Sequence, residues 1–205
     1  MNFGIPITND FLRTLPEYKG KSDSQLTAQD RSKVAMQQRD VYVSEAVKRL
    51  DLLKSDYGNG VSTLCRFYNA SGDPIKVNFD HSWRGSFYKD SPPSVVENGQ
   101  WTTFIHVHPT AQAVGSAGAV IYRTTENTDI FIGWQNPWNT AYDPTCWAES
   151  KEKDHWWAVG SESYMLHLLD DKANNRHEDS EYGYKVSVQI GSSTTSECIA
   201  MIEKI

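Results

Sequence analysis

The spacing of apolar residues changes at Gly60, and this change constrains the fold more than any other feature of the chain. Before it the period is helical. Thr27-Ala28-Gln29-Asp30 reads as an N-cap followed by an acid in the first turn, which predicts a helix through about Gln38. A second helix opens at Asp40 or Ser44. Its apolar residues Val43, Ala46, Val47, Leu50, Leu53 and Tyr57 recur at intervals of three and four. Gly58 stands where a left-handed C-terminal cap belongs, and Asn59-Gly60 is a turn. Residues 1–26, punctuated by Pro6, Pro16 and Gly20, are expected to be extended or irregular.

After Gly60 the period is two. Val61 to Tyr68 alternates and ends in the turn Asn69-Ala70-Ser71-Gly72-Asp73-Pro74. Further strands are predicted at 75–80, 84–88, 101–107, 117–123, 128–134, 163–168, 184–190 and 197–203, separated by breaks rich in Gly, Pro, Asn or Asp. The acidic stretch Asp170 to Glu181 reads as a solvated loop. Short strands at this spacing, with helices confined to one end, predict a mainly β fold. The expected architecture is an antiparallel β-sandwich over 58–205, preceded by a two-helix arm over 1–57.

Charge and cysteine usage narrow the function classes. Residues 1–57 carry nine Lys/Arg against eight Asp/Glu, and the remainder carries eleven against eighteen. That negative surface repels a phosphate backbone, so nucleic acid is not an expected partner. No apolar stretch is long enough to span a bilayer. The start Met1-Asn2-Phe3-Gly4-Ile5-Pro6 has neither a basic nor an apolar leader region, so a cytoplasmic or nuclear location is expected. Cys65, Cys146 and Cys198 are odd in number and contain no CxxC, which reads as reduced, buried thiols.

The chemistry is most concentrated in the aromatic residues. All seven tryptophans lie between Trp83 and Trp157. In the adjacent pair Trp156-Trp157 at least one ring is expected to face outward, because neighbours on a strand point to opposite faces. Core packing explains most single tryptophans. The segment 134–147 differs, because it sets rings that stack beside amides that hydrogen-bond. It nominates Asn136, Pro137, Trp138, Asn139, Tyr142 and Trp147 as a binding site for a glycan or a polar head group. His106 and His108 stand two apart on one strand, a spacing that suits two metal ligands, but no third ligand is identifiable, so no metal or other cofactor is expected. No GxSxG, GxGxxG, P-loop, EF-hand or HExxH motif occurs. The competing classes are an enzyme using His106, His108 or an acidic pair, and an interaction protein without a small ligand. In the latter the stripe Val47, Leu50 and Leu53 would dock the arm on the sandwich or on another chain, with a homo-oligomer through the arm as one outcome.

Several blocks carry a resemblance to a known family. Tyr57-Gly58-Asn59-Gly60-Val61-Ser62-Thr63-Leu64-Cys65, Tyr68-Asn69-Ala70-Ser71-Gly72-Asp73, Asn98-Gly99-Gln100-Trp101, Gly115 through Arg123 and Asn136-Pro137-Trp138-Asn139 resemble the small jasmonate-induced proteins of plants. This resemblance implies expression linked to jasmonate or stress. A remoter one, carried by 68–72, 115–122 and 130–147, is to the β-sandwich of actinoporins, aegerolysins and fungal fruit-body lectins, which bind head groups or glycans. The positions matching the actinoporin head-group segment are Pro137, Trp138 and, with gaps, Tyr142. The arm departs from the actinoporin membrane-inserting helix in being dense in charge, with Arg31, Lys33, Arg39, Lys48 and Arg49 among its residues.

Overall fold

The two longer helices form where the sequence period places them, while the segment 1–26, read as extended or irregular, also holds a short helix and two 3-10 turns. In this computed structural model, which describes residues 1–157 and 161–205, a short strand β1 (Asn2–Phe3) and a five-residue helix α1 (Asn9–Arg13) precede α2 (Ala28–Gln38) and α3 (Val43–Tyr57). The Thr27 side chain accepts from the Asp30 amide, and the Asp30 carboxylate accepts from the Thr27 amide, closing a capping box at the start of α2. Gly58 ends α3 at φ +81 and ψ -135, a backbone open to glycine but not the αL cap the sequence suggested, with its amide donating to Lys54 O.

Among the described residues eleven strands follow, the first nine being β2 (Ser62–Ala70), β3 (Ile75–Arg84), β4 (Ser86–Phe87), β5 (Val95–Val96), β6 (Gln100–Val107), β7 (Ser116–Arg123), β8 (Thr128–Asn136), β9 (Thr145–Glu152) and, after a helical segment, β10 (Arg176–Glu181). The chain closes with β11 (Tyr184–Ile190) and β12 (Thr195–Lys204). Among the described residues these make two sheets. One runs β1-β6-β2-β12-β11-β10 with β4 beside β6, and the other runs β5-β3-β7-β8-β9. The pairing is antiparallel except that β12 lies parallel to β2, Thr195 opposite Ser62 through Glu203 opposite Ala70. The last strand thus seals the sandwich against the first long one.

The two sheets enclose the main core, which includes Phe67, Phe104, Tyr122, Ile132, Trp134, Val186 and Ile202. Cys65, Cys146 and Cys198 lie in it as free, buried thiols. The outer face of the larger sheet is covered by the amino-terminal helices. Leu12, Val34, Ala35 and Ala46 pack on Tyr68 and Trp101, while Leu50 and Leu53 pack on Leu64 and Ile105. Leu50 and Leu53 of the α3 stripe are therefore taken up by the chain's own sheet, while Val47 stays half-buried outside that contact. Polar tips reinforce the contact: the Tyr68 hydroxyl donates to Ala35 O (2.7 Å) and the Trp101 indole to Arg39 O (2.7 Å). Arg31 acts as a clamp, donating to Gly72 O, Asp73 Oδ1 (2.7 Å) and Asn9 Oδ1 (2.8 Å).

The outer face of the smaller sheet is covered by α4 (Ser161–His167) and the π-type turn Leu168–Lys172. The sequence period had suggested a strand at 163–168. Met165, Leu168 and Leu169 instead recur at three and four; all three are buried, and the first two pack with Phe131 and Trp156 on this face. The acidic stretch 170–181 is likewise not a loop throughout, because its second half is β10. An edge strand is held by its ladder to β11, so its exposed charges gave no periodic signal. β9, also unanticipated, runs alongside it. His177 Nδ1 donates to Ala148 O (2.8 Å), and Asp179 Oδ2 accepts from the Ser150 amide (2.8 Å), closing that side of the sandwich.

One buried polar network joins the sheets through the core. His106 on β6 has Nδ1 2.8 Å from Ser116 Oγ on β7 and Nε2 3.0 Å from Ser82 Oγ on β3. Ser116 Oγ is also 2.9 Å from Thr63 Oγ1 on β2. Burial pushes the His106 pKa from 6.5 down to about 3.

Three outcomes follow from this packing. Between about pH 6.5 and about 3 the unfolded chain takes up a proton that native His106 refuses. This residue's contribution to stability is therefore intact above about 6.5 and falls as the medium is acidified, at ~1.4 kcal/mol per pH unit. In urea titrations, His106→Asn should destabilise the protein near neutrality, and the gap to the parent chain should narrow steadily by about pH 4. Arg31→Met should cost ~2 kcal/mol and lower Tm by about 5 °C in calorimetry, since it strands the Asp73 carboxylate and the Gly72 carbonyl. We propose that the boundary at 57/58 separates two layers of one cooperative unit. A chain beginning at residue 58 should fail to give a sharp thermal transition, because it exposes Tyr68, Trp101 and Ile105.

Candidate functional site

The β8–β9 connection, residues 137–144, presents the rings that the sequence singled out. β8 ends at Asn136, whose side-chain amide donates to Ser62 O (3.1 Å) and Thr194 O (3.3 Å), so the loop springs from a fixed point. Within it Asn139 Oδ1 accepts from the Ala141 amide (3.0 Å) and Asn139 O from the Tyr142 amide (3.1 Å), an Asx turn laid over a β-turn. The turn carries Trp138 and Tyr142 outward, with 43% and 67% of their surfaces exposed. Trp138 is backed by the imidazole of His108, with ring centroids 5.0 Å apart and planes tilted by 54°.

Beside Trp138 lies a cleft of about 220 Å³ between the β7 start and the β8 end, walled by Arg84, Gly115, Gln135, Pro137 and Asn139. Gly115 is required here, since a Cβ at that position would lie 2.1 Å from Asn136 O. Arg84 donates to Gln135 Oε1 (3.1 Å) and faces Asp170 at 3.8 Å. The connections at this end of the sandwich, 108–115, 137–144 and 191–194, hold only His108, Tyr142 and Asp143 as ionisable residues, and of these only Asp143 is charged throughout the neutral range. An acidic protein thus presents a nearly uncharged, aromatic end with one arginine in its cleft.

The structure brings Pro137, Trp138, Asn139 and Tyr142 together on one loop, and it uses the other two nominated residues differently. Asn136 is buried and works as a strut beneath the loop. Trp147 points to the outer side of the smaller sheet, where it stacks on His177 with centroids 3.5 Å apart, away from the cleft. Of the adjacent pair, Trp156 is buried and Trp157 is 61% exposed. They sit on a 3-10 turn rather than a strand. His106 and His108 do not act together: the first is sealed into the inter-sheet network, and the second lies past the end of β6 under Trp138. The close approach of Ser116 Oγ to His106 has the form of a nucleophile and base, but both residues are fully buried, and Ser116 is tied to Thr63. This geometry makes them a core fastening.

Arg84, Gln135 and the backing role of His108 escaped the sequence reading, because each depends on strands that meet only in the fold. The sole hint was the run Gly115-Ser116-Ala117-Gly118. Its small residues leave room for the β8 backbone and for the Trp134 ring, which a Cβ on Gly118 would meet at 2.9 Å.

Comparison with known proteins agrees along the whole chain. A 23 kDa jasmonate-induced protein of Hordeum vulgare is 34% identical over 209 residues, spanning 98% of this chain and 96% of the barley protein. The crystal structure of Nakanori, described as a lipid binding protein, matches with a TM-score of 0.95 and 42% identity over 100% of both chains. The lectin XCL of Xerocomus chrysenteron aligns with 69% of this chain and 98% of its own, at 16% identity and a TM-score of 0.47. The family model for Nakanori-like proteins matches residues 3–205, and the chain belongs to that family.

Proposed function

We propose that this protein is a non-enzymatic binding module that takes the polar head group of a lipid at a membrane interface, in a stress-linked role. The observation that carries the reading is the pair Trp138 and Tyr142, held out to water on an almost uncharged end beside a largely apolar cleft that Arg84 and Gln135 border. Exposed indole and phenol rings suit the head-group region, where an apolar ring and its polar tip are both satisfied. Arg84 and Gln135, which line the cleft next to the rings, offer N–H donors to a charged or hydroxylated group there. No helix among the described residues is long and apolar enough to cross a membrane, so attachment would rest on this end of the sandwich. Nakanori, described as lipid binding, supports the ligand class, and the jasmonate-induced barley relative supports the stress link.

Ring stacking beside amides would serve a glycan as well, and a test must separate the two. Each ring is worth ~1 kcal/mol, so Trp138→Ala combined with Tyr142→Ala should weaken co-sedimentation with phosphatidylcholine vesicles by about tenfold or more. The same variant should change Tm by less than about 2 °C, because both rings are exposed. Unaltered vesicle binding, or binding of the parent chain to a glycan array but not to vesicles, would overturn the assignment.

A further inference from the structure

The rings that form the binding loop do not stand alone. They continue inward as a ladder that ends on the amino-terminal helices. Tyr57, the last residue of α3, lies edge-on to His108 with centroids 6.2 Å apart, and His108 in turn backs Trp138 at 5.0 Å. On its other side Tyr57 meets Tyr88 at 5.2 Å and carries the Lys54 ammonium over its ring at 5.1 Å. Lys54 also donates to Gly58 O (2.8 Å) and Gly60 O (3.1 Å), which folds the α3–β2 turn back on the helix end.

The turn is shaped to let the ladder close. Gly60 has φ +127, and a Cβ there would lie 2.3 Å from His108 Nε2 and 2.8 Å from the Tyr57 hydroxyl. The His108 main chain is pinned by its amide donating to Val61 O (3.0 Å). Its Nδ1 is buried without a hydrogen-bond partner among the described residues, so the orientation of the ring is set by packing between Tyr57 and Trp138. An exposed tryptophan on an eight-residue connection would otherwise be free to change rotamer, and ordering it on binding would cost affinity.

We propose that His108 and Tyr57 are positioning residues for the binding ring Trp138, and that the helical arm is thereby a working part of the site rather than only a cover for the sheet. This rests on the reading of Trp138 given above as to what the ring binds, though not as to how it is held. The ladder runs from Lys54 through Tyr57 and His108 to Trp138, and crosses from α3 to the β6–β7 and β8–β9 connections.

The test labels the protein with 5-fluorotryptophan and assigns the Trp138 fluorine resonance from its disappearance in Trp138→Phe. Tyr57→Leu and His108→Leu should each shift or broaden that one resonance and leave those of buried Trp134 and Trp156 in place. They should also weaken phosphatidylcholine vesicle binding by about three- to tenfold. His108→Phe, which restores a ring at the middle rung, should recover most of both effects. A Trp138 resonance unmoved in the two leucine variants, or a His108→Phe chain as impaired as His108→Leu, would refute the ladder. If Trp138→Ala itself leaves vesicle binding unchanged, the lipid reading fails, and the fluorine spectra, which need no ligand, still decide how the ring is held.

Discussion

Burial of β2 on both of its faces is the constraint on which the remaining structure depends. Cys65 and Phe67 point into the space between the sheets, while Leu64, Tyr68 and Ala70 point to the opposite side. A strand apolar on both faces cannot sit on the surface of a two-layer sandwich, so a further layer must cover it. The helices supply that layer, and their polar backbone groups meet the tips of Tyr68 and Trp101. The smaller sheet has the same need. Ile121 and Phe131 face outward from it, and the segment around Trp156, Met165 and Leu168 covers them. The result is four layers, with the ladder-bearing sheets in the middle.

Within this frame the buried His106 network and the parallel β2–β12 pair hold the end of the sandwich where the candidate site lies. Thr63, His106 and Ser116 all sit within two residues of a strand end there, and Asn136 ties the β8 terminus to Ser62 and Thr194. Fixed strand ends allow a short connection to hold aromatic rings in water without collapse. Every carboxylate the protein places elsewhere on its surface also sharpens the contrast, because the connections at this end carry so little charge.

Much of the frame was legible beforehand, for identifiable reasons. The α3 stripe, the Thr27 cap and the Gly58 terminus are local signals, and each element formed within a few residues of where they put it. Trp138 and Tyr142 were nominated as binding residues from rings set among turn-forming and amide residues, while which of the tryptophans reach water was not readable there. Where reading failed, the missing information was a partner. Residues 163–168 can be drawn with either period, and only the outer face of the smaller sheet selects the helix that buries Met165 and Leu168. β10 has no apolar alternation, and exists because β11 offers it a ladder. Trp147 and Asn136 belong chemically to the same class as Trp138 and Asn139, and differ only in which face of a strand or which end of a hydrogen bond they occupy.

By itself the sequence determined the helical start, the switch to strands, the negative balance away from the arm and the segment rich in rings and amides. These are properties of neighbours along the chain, and periodicity, capping and composition report them directly. The tertiary structure alone decided which rings reach water, that Arg84 and Gln135 join the loop, that His108 and Tyr57 stand behind Trp138, and that the final strand pairs parallel with the first long one. Those facts concern residues tens of positions apart. Their meeting is set by the mutual burial of whole sheet faces, which no local pattern encodes.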